Sequence, residues 1–251
     1  LAFSLKKESA NLENFLLQAN IFFCLMYLDH HTHVSGSPSK ASEIMRIFSI
    51  DASNFEDLGK IPDIKSMGHA CTIGLHPMSF NAMTFENVSR IIHQYRDDIL
   101  GIGECGLDTR IAVPTQNQIE LFTAHAEMAM EMHLPLIIHC VRSYDDIVHL
   151  HQRLKPSNPW IIHGFNRTEN IAIKLLDQGI FLSIGRELLD PGHPISTFFK
   201  KIGEYPFFLE TDGKDIAIQT LYQQASNMLD MSIEAISTNI ASHAQQVYGR
   251  I

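Results

Sequence analysis

What this 251-residue chain lacks narrows its class before any motif is considered. Its four cysteines, Cys24, Cys71, Cys105 and Cys140, form no CxxC pair, and three of them sit in apolar, strand-like runs. Buried, reduced thiols are the expectation, which suits the cytoplasm. No run of about 20 apolar residues is present, so no membrane-spanning helix is expected. Basic charge is short: 19 Lys and Arg stand against 28 Asp and Glu, a net charge of −9, which argues against a broad basic surface for coating duplex DNA. A local cleft holding two divalent ions would still offer positive charge to one phosphate on an acidic protein. Internal repeats, linkers, a recognition helix, a basic arm and an aromatic-rich RNA motif are missing, so a base-specific reader is not expected.

What is present suffices for one core. At 45% apolar content the chain has the usual length of a single barrel of eight strand-and-helix units, and no second domain is required. Residues 1–25 stand apart as an N-terminal extension, with Lys6 and Lys7 before an apolar stretch that loosely imitates a secretory signal. Gln18 and Asn20 interrupt that stretch, and Met26 would serve as a native start to a hydrolase barrel over residues 26–251. Eight strands are expected at Leu25–Asp29, Ile44–Ile50, His69–Leu75, Ile99–Glu104, Leu134–His139, Trp160–His163, Ile180–Ile184 and Phe207–Glu210. Helical spacing of Ile119, Phe122, Ala126 and Ala129 predicts a helix over Gln116–Met132, and Ser232–Tyr248 reads as a last helix stopped by Gly249.

Metal-binding residue types recur at the ends of these runs. They are His31 and His33 in LDHHTHV, Glu104 in ILGIGECGLD, His139 in LPLIIHCV, His163 in PWIIHGF and Asp212 in FFLETD. Side chains at the carboxyl ends of parallel strands converge on one rim of a barrel, so residues distant in sequence can share one site. Positions two apart on a strand face the same side, which puts Asp29, His31 and His33 together and turns His30 and Thr32 away. The set predicts a two-metal hydrolase with mixed imidazole and carboxylate ligands for Mg, Mn or Zn.

With DHHTH, GLHP at Gly74–Pro77, GECGLD at Gly103–Asp108, HCVR at His139–Arg142, HGF at His163–Phe165 and ETD at Glu210–Asp212, the chain resembles the TatD family of metal-dependent deoxyribonucleases, within the amidohydrolase-like barrels. The resemblance implies a dinuclear centre: His31, His33 and Asp212 on the first ion, His139 and His163 on the second, and Glu104 bridging. It implies a single-stranded DNA end as substrate, with Asp212 as general base beside an activated water. The chain departs from the family in two places. Val141 intervenes before Arg142 where the family more often has His-x-Arg, and Gly213, Lys214 and Asp215 replace a proline-containing loop with a long basic insert.

Other residues carry weaker expectations. His76 would meet a substrate phosphate or leaving group, or simply pack under Pro77, and Arg142 would clamp phosphate. Asp108 would orient a metal-bound histidine or cap a turn, Asp29 would be a buried supporting acid, and Glu210 would anchor the last strand. Phe165 and Asn166 are candidates for the pocket wall. His93, His125, His133, His149, His151, His193 and His243 read as packing or surface residues. The alternative activity is an amidase, lactonase or small phosphoesterase on the same barrel, a further one is metal binding without turnover, and a monomer is expected.

Overall fold

Eight short apolar runs fold into eight strands that pair in sequence order, every pairing parallel. The computed structural model describes residues 27–35 and 43–249. The expectations for residues 1–25, the start at Met26, Cys24 and the first two residues of the first strand lie outside the described residues. The strands are β1 (Tyr27–His33), β2 (Ile44–Asp51), β3 (Ala70–Gly74), β4 (Gly101–Asp108), β5 (Leu136–Val141), β6 (Trp160–Ile162), β7 (Phe181–Ile184) and β8 (Phe207–Leu209). Strands β5, β6 and β8 each begin directly after Pro135, Pro159 or Pro206. The Asp212 N–H donates to the His31 carbonyl at 2.9 Å and joins the end of the sheet to its beginning, giving a nearly closed (β/α)8 barrel.

Both faces of the barrel wall are covered, and the strand sequences show it. Every residue of β3 and β4 is buried, as continuous apolar parallel strands require. The outer layer includes α1 (Phe55–Leu58), α2 (Ile61–Ser66), α3 (Phe85–Gln94), α4 (Thr115–Met132), α5 (Tyr144–Leu154), α6 (Glu169–Leu176), α7 (Pro194–Ile202), α8 (Ile218–Leu229) and α9 (Ile233–Tyr248). Helix α9 follows the sequence cues closely: Ser232 Oγ accepts the Ala235 N–H at its start, and Gly249 ends it at φ 64°. Its Tyr248 hydroxyl lies 2.8 Å from Nε2 of His30, whose ring stacks on Phe208. His30 thus faces outward, as its alternation with His31 requires. Burial holds its ring neutral, with a pKa well below the usual histidine value.

Two irregularities aim the site. Between Asp29 and Thr32, β1 takes three steps while β2 takes two, from Arg46 to Phe48, so β1 carries a bulge. The bulge breaks the period of two, and Asp29 does not share the face of His31 and His33. Its carboxylate instead accepts the backbone N–H and the hydroxyl of Thr211 at 2.8 and 2.7 Å, and burial raises its pKa to about 7. A matching shift separates Ile102 and Cys105 on β4 from Leu136 and Ile138 on β5. Strand β4 therefore runs past Glu104 to Asp108, and Glu104 points inward from mid-strand rather than from the strand end.

His125 on α4 links the outer layer to the rim. It is fully buried, its Nε2 accepts the Leu75 N–H at 3.2 Å, and its Nδ1 lies 2.8 Å from the Leu121 carbonyl. Burial lowers its pKa to about 4, against an ordinary 6.5. The folded state therefore binds fewer protons than the unfolded state between those values, so the stabilisation is present above pH 6.5 and is lost as pH falls through 4. The difference corresponds to roughly 3 kcal/mol. In urea titrations the stability gap between wild type and His125→Gln should narrow by about 2 kcal/mol from pH 7.5 to pH 5. Equal gaps at the two pH values would refute this account.

Candidate metal centre

The site is assembled around one carboxylate. Glu104 Oε1 lies 2.7 Å from His139 Nδ1 and 2.7 Å from His163 Nε2, and Oε2 lies 3.4 Å from His31 Nε2. On the β1 side, Asp212 Oδ1 lies 3.2 Å from His33 Nε2 and 3.9 Å from His31 Nε2. These atoms form three overlapping groups compact enough to hold a cation: His31, Glu104 and His163; His31, His33 and Asp212; and His76, Glu104 and His139. Glu104 and His31 each belong to two groups. The donor set suits one divalent ion or two.

Backbone geometry explains this convergence. His31 projects from the bulge of β1 and His33 from the strand's end, and His139 from β5 beside Gly106 of β4. A Cβ at Gly106 would stand 1.9 Å from the His139 carbonyl oxygen, so only glycine lets the two strands approach there. His163 follows β6 directly, and Asp212 sits beyond β8 at φ 50°. Glu210 accepts the Gly164 N–H at 2.6 Å and lies 3.4 Å from His163 Nδ1, so it holds the β6 turn as well as the last strand end.

The electrostatics favour cations. Burial by itself would raise Glu104, but the charge of His163, the bonds from His139 and His163 and the nearness of the His31 ring hold it well below the usual carboxylate range. Burial likewise opposes ionisation of Asp212, and His33, His163, His31 and Lys214 outweigh it, leaving its pKa far below normal. Burial would lower His163, yet Glu104 and Glu210 raise it well above the ordinary value. A proton on His163 thus balances a charge that a metal ion would balance in its place. Two buried nitrogens, His31 Nε2 and His163 Nδ1, make no hydrogen bond, which is costly unless a cation or a further partner satisfies them. The residues present fit a divalent metal site.

A cleft of about 430 Å³ opens above the cluster. His76 reaches it, with Nε2 at 3.4 Å from Glu104 Oε1. Its Nδ1 accepts the Met78 N–H at 3.1 Å, so in the neutral ring Nε2 carries the proton and faces the cleft as a donor. Asp108 also lines the cleft, lying 3.4 Å from His139 Nε2 and closing a turn on the Arg110 N–H at 2.8 Å.

Arg142 does not line the cleft. It is exposed, at φ 59°, one residue beyond the end of β5 at Val141. The cleft takes Arg110 instead, which sequence reasoning missed and which pairs with both Asp108 oxygens at 3.1 and 2.9 Å. The spacing Asp108-Thr109-Arg110, a turn that folds the third residue back on the first, was the signal for it. Asp51 was missed too. It ends β2 as Asp108 ends β4, lines the cleft, and accepts the His76 N–H at 3.2 Å. Phe165 is fully buried edge-on against Tyr144 and does not line the cleft.

Comparisons with known proteins agree with this geometry. The family model described as TatD related DNase matches residues 29–249. A 3'-5' ssDNA/RNA exonuclease TatD from Pantoea ananatis is 24% identical over 204 residues, 72% of this chain and 78% of that protein. An uncharacterised metal-dependent hydrolase from Buchnera aphidicola is 28% identical over 141 residues, 52% of this chain and 53% of its own length. The chain spans about half the length of several other curated relatives it matches. A crystal structure of a TatD homologue from Escherichia coli shares the fold with a TM-score of 0.77 at 17% identity, covering 91% of this chain and 100% of that one. Among the described residues no helix is long and apolar enough to cross a membrane.

Proposed function

The chain belongs to the TatD related DNase family, and from that premise we propose that it is a metal-dependent phosphodiesterase that shortens single-stranded DNA from an end. The observation that carries the proposal is Glu104, whose two oxygens serve histidines from three strands and tie the candidate ion sites into one centre. His31, His33 and Asp212 would hold one ion, His139 and His163 the other, with Glu104 shared between them. Bound there, divalent ions supply hydroxide near neutral pH and neutralise charge on the phosphoryl group.

The chain's own residues then have separate tasks. Asp212, kept ionised by its neighbours, would accept the proton of the attacking water at Oδ1, while Lys214, 3.0 Å from Oδ2, fixes the orientation of the carboxylate. His76 presents its Nε2 proton to a phosphoryl or leaving oxygen. Arg110, steered by Asp108, offers its guanidinium to the next phosphate oxygen. Asp108 is itself drawn down to about 2: burial opposes ionisation, but its bonds from Arg110 and His139 prevail. Buried free thiols at Cys71, Cys105 and Cys140 accord with a reducing cytoplasm, and a monomer is sufficient for a site built within one chain.

The test is cleavage of end-labelled single-stranded DNA by metal-stripped protein after addition of Mg, Mn or Zn. Stepwise shortening that requires metal is expected, and Arg110→Ala should lower kcat/KM about ten- to a hundredfold, the value of one charge-assisted bond. Turnover of chromogenic amides or lactones with no DNA cleavage would overturn the proposal.

A further inference from the structure

Beside the metal cleft lies a second hollow of about 330 Å³ that meets it at Met78, which lines both. The two differ sharply in chemistry. Carboxylates, imidazoles and Arg110 line the cleft, whereas Phe80, Ile111, Val113 and Pro114 wall the hollow together with the amides of Asn81 and Asn117, and no charged residue lines it.

Both walls change character within a step or two of chain. On one side, the His76 ring faces the cleft and accepts the Met78 N–H, fixing Met78 on the ridge two residues on. On the other, Asp108 pins Arg110 over the cleft, and Ile111 turns into the hollow. Met78 is 72% exposed, and Phe55 is the other exposed large apolar side chain among the described residues. An apolar side chain held out at the mouth of a charged cleft gains most from a ligand that is charged at one end and flat and apolar at the other.

We propose that this hollow is a nucleobase subsite, holding the base of the nucleotide whose phosphate enters the metal cleft; the assignment rests on the nuclease reading above. The base lies against Met78 and Phe80, and the amides of Asn81 and Asn117 present both donors and acceptors to its edge. The phosphate and the base of one nucleotide are then bound on the two sides of one ridge.

The test compares oligodeoxynucleotides that differ only by an abasic residue at the terminal or adjacent position. For the wild type, kcat/KM should favour the intact strand by about tenfold. In Met78→Ala combined with Ile111→Ala that ratio should fall towards one, while Met78→Leu keeps it. An equal preference in wild type and the double variant, or none in the wild type, overturns the subsite. Cleavage of neither oligonucleotide sinks the nuclease reading alone, and calorimetry on the metal-loaded protein then decides this one. Binding of dAMP tighter than deoxyribose 5-phosphate, lost in the double variant, supports the subsite; equal affinities overturn it.

Discussion

Replacing Glu104 by glutamine is expected to reduce phosphodiester cleavage by at least about a thousandfold and to empty one ion site or both. The charge of Glu104 is central to two of the three candidate ligand groups, and its two oxygens face His139, His163 and His31. An amide keeps the volume but removes the charge, and it turns an NH₂ donor towards ring nitrogens that would need to bind metal. Charge stabilisation by such ions is worth several kcal/mol, and each 1.36 kcal/mol is about tenfold in rate. Loss of the proton on His163 can offset the missing charge in the metal-free protein, because Glu104 and Glu210 are what raise that histidine. The variant should therefore fold. Metal content by mass spectrometry, initial rates and circular dichroism check each part; unchanged metal content with unchanged turnover would refute the assignment of Glu104.

Gly106→Ala is expected to be the most damaging single methyl in the barrel. The added carbon would lie 1.9 Å from the His139 carbonyl oxygen, 2.8 Å from its carbon and 2.9 Å from its nitrogen, all of them backbone atoms with no rotamer to yield. Gly106 is also the register partner of His139, so relief requires β4 and β5 to part at the residue that holds the site. The positive φ of 157° adds strain for any side chain. A cost above about 4 kcal/mol is expected, in the upper tail for single substitutions, with loss of metal binding by whatever fraction folds. Thermal melting and soluble yield measure it, and a wild-type melting temperature would show that the strands can separate freely.

Sequence reasoning found what depends on strand count and strand ends. Eight apolar runs became eight parallel strands, and the six residues at or near their ends came together within a few ångströms. The readings that failed share a cause: period-two reasoning assumes an unbroken strand. The bulge after Asp29 moved that acid to Thr211, and the bulge after Ile102 let Glu104 reach inward from mid-strand. The two arginines show the same limit in loops. Backbone conformation at Arg142 sends it to solvent, whereas the turn closed by Asp108 brings Arg110 over the cleft. His76 was legible as a cleft residue, but its protonated nitrogen was not, because that follows from a bond to Met78 two residues on.

The bond between Tyr248 and His30, across 218 positions of sequence, bears on how the protein is made. On the ribosome His31 and His33 emerge well before Asp212, the partner of His33, and before the helix that covers the back of that strand. Contacts this distant in sequence form late. The ligands are therefore scattered until β1 meets the segment beyond β8, and the centre gains its affinity for ions only when the barrel closes, as a property of the whole fold rather than of any one segment.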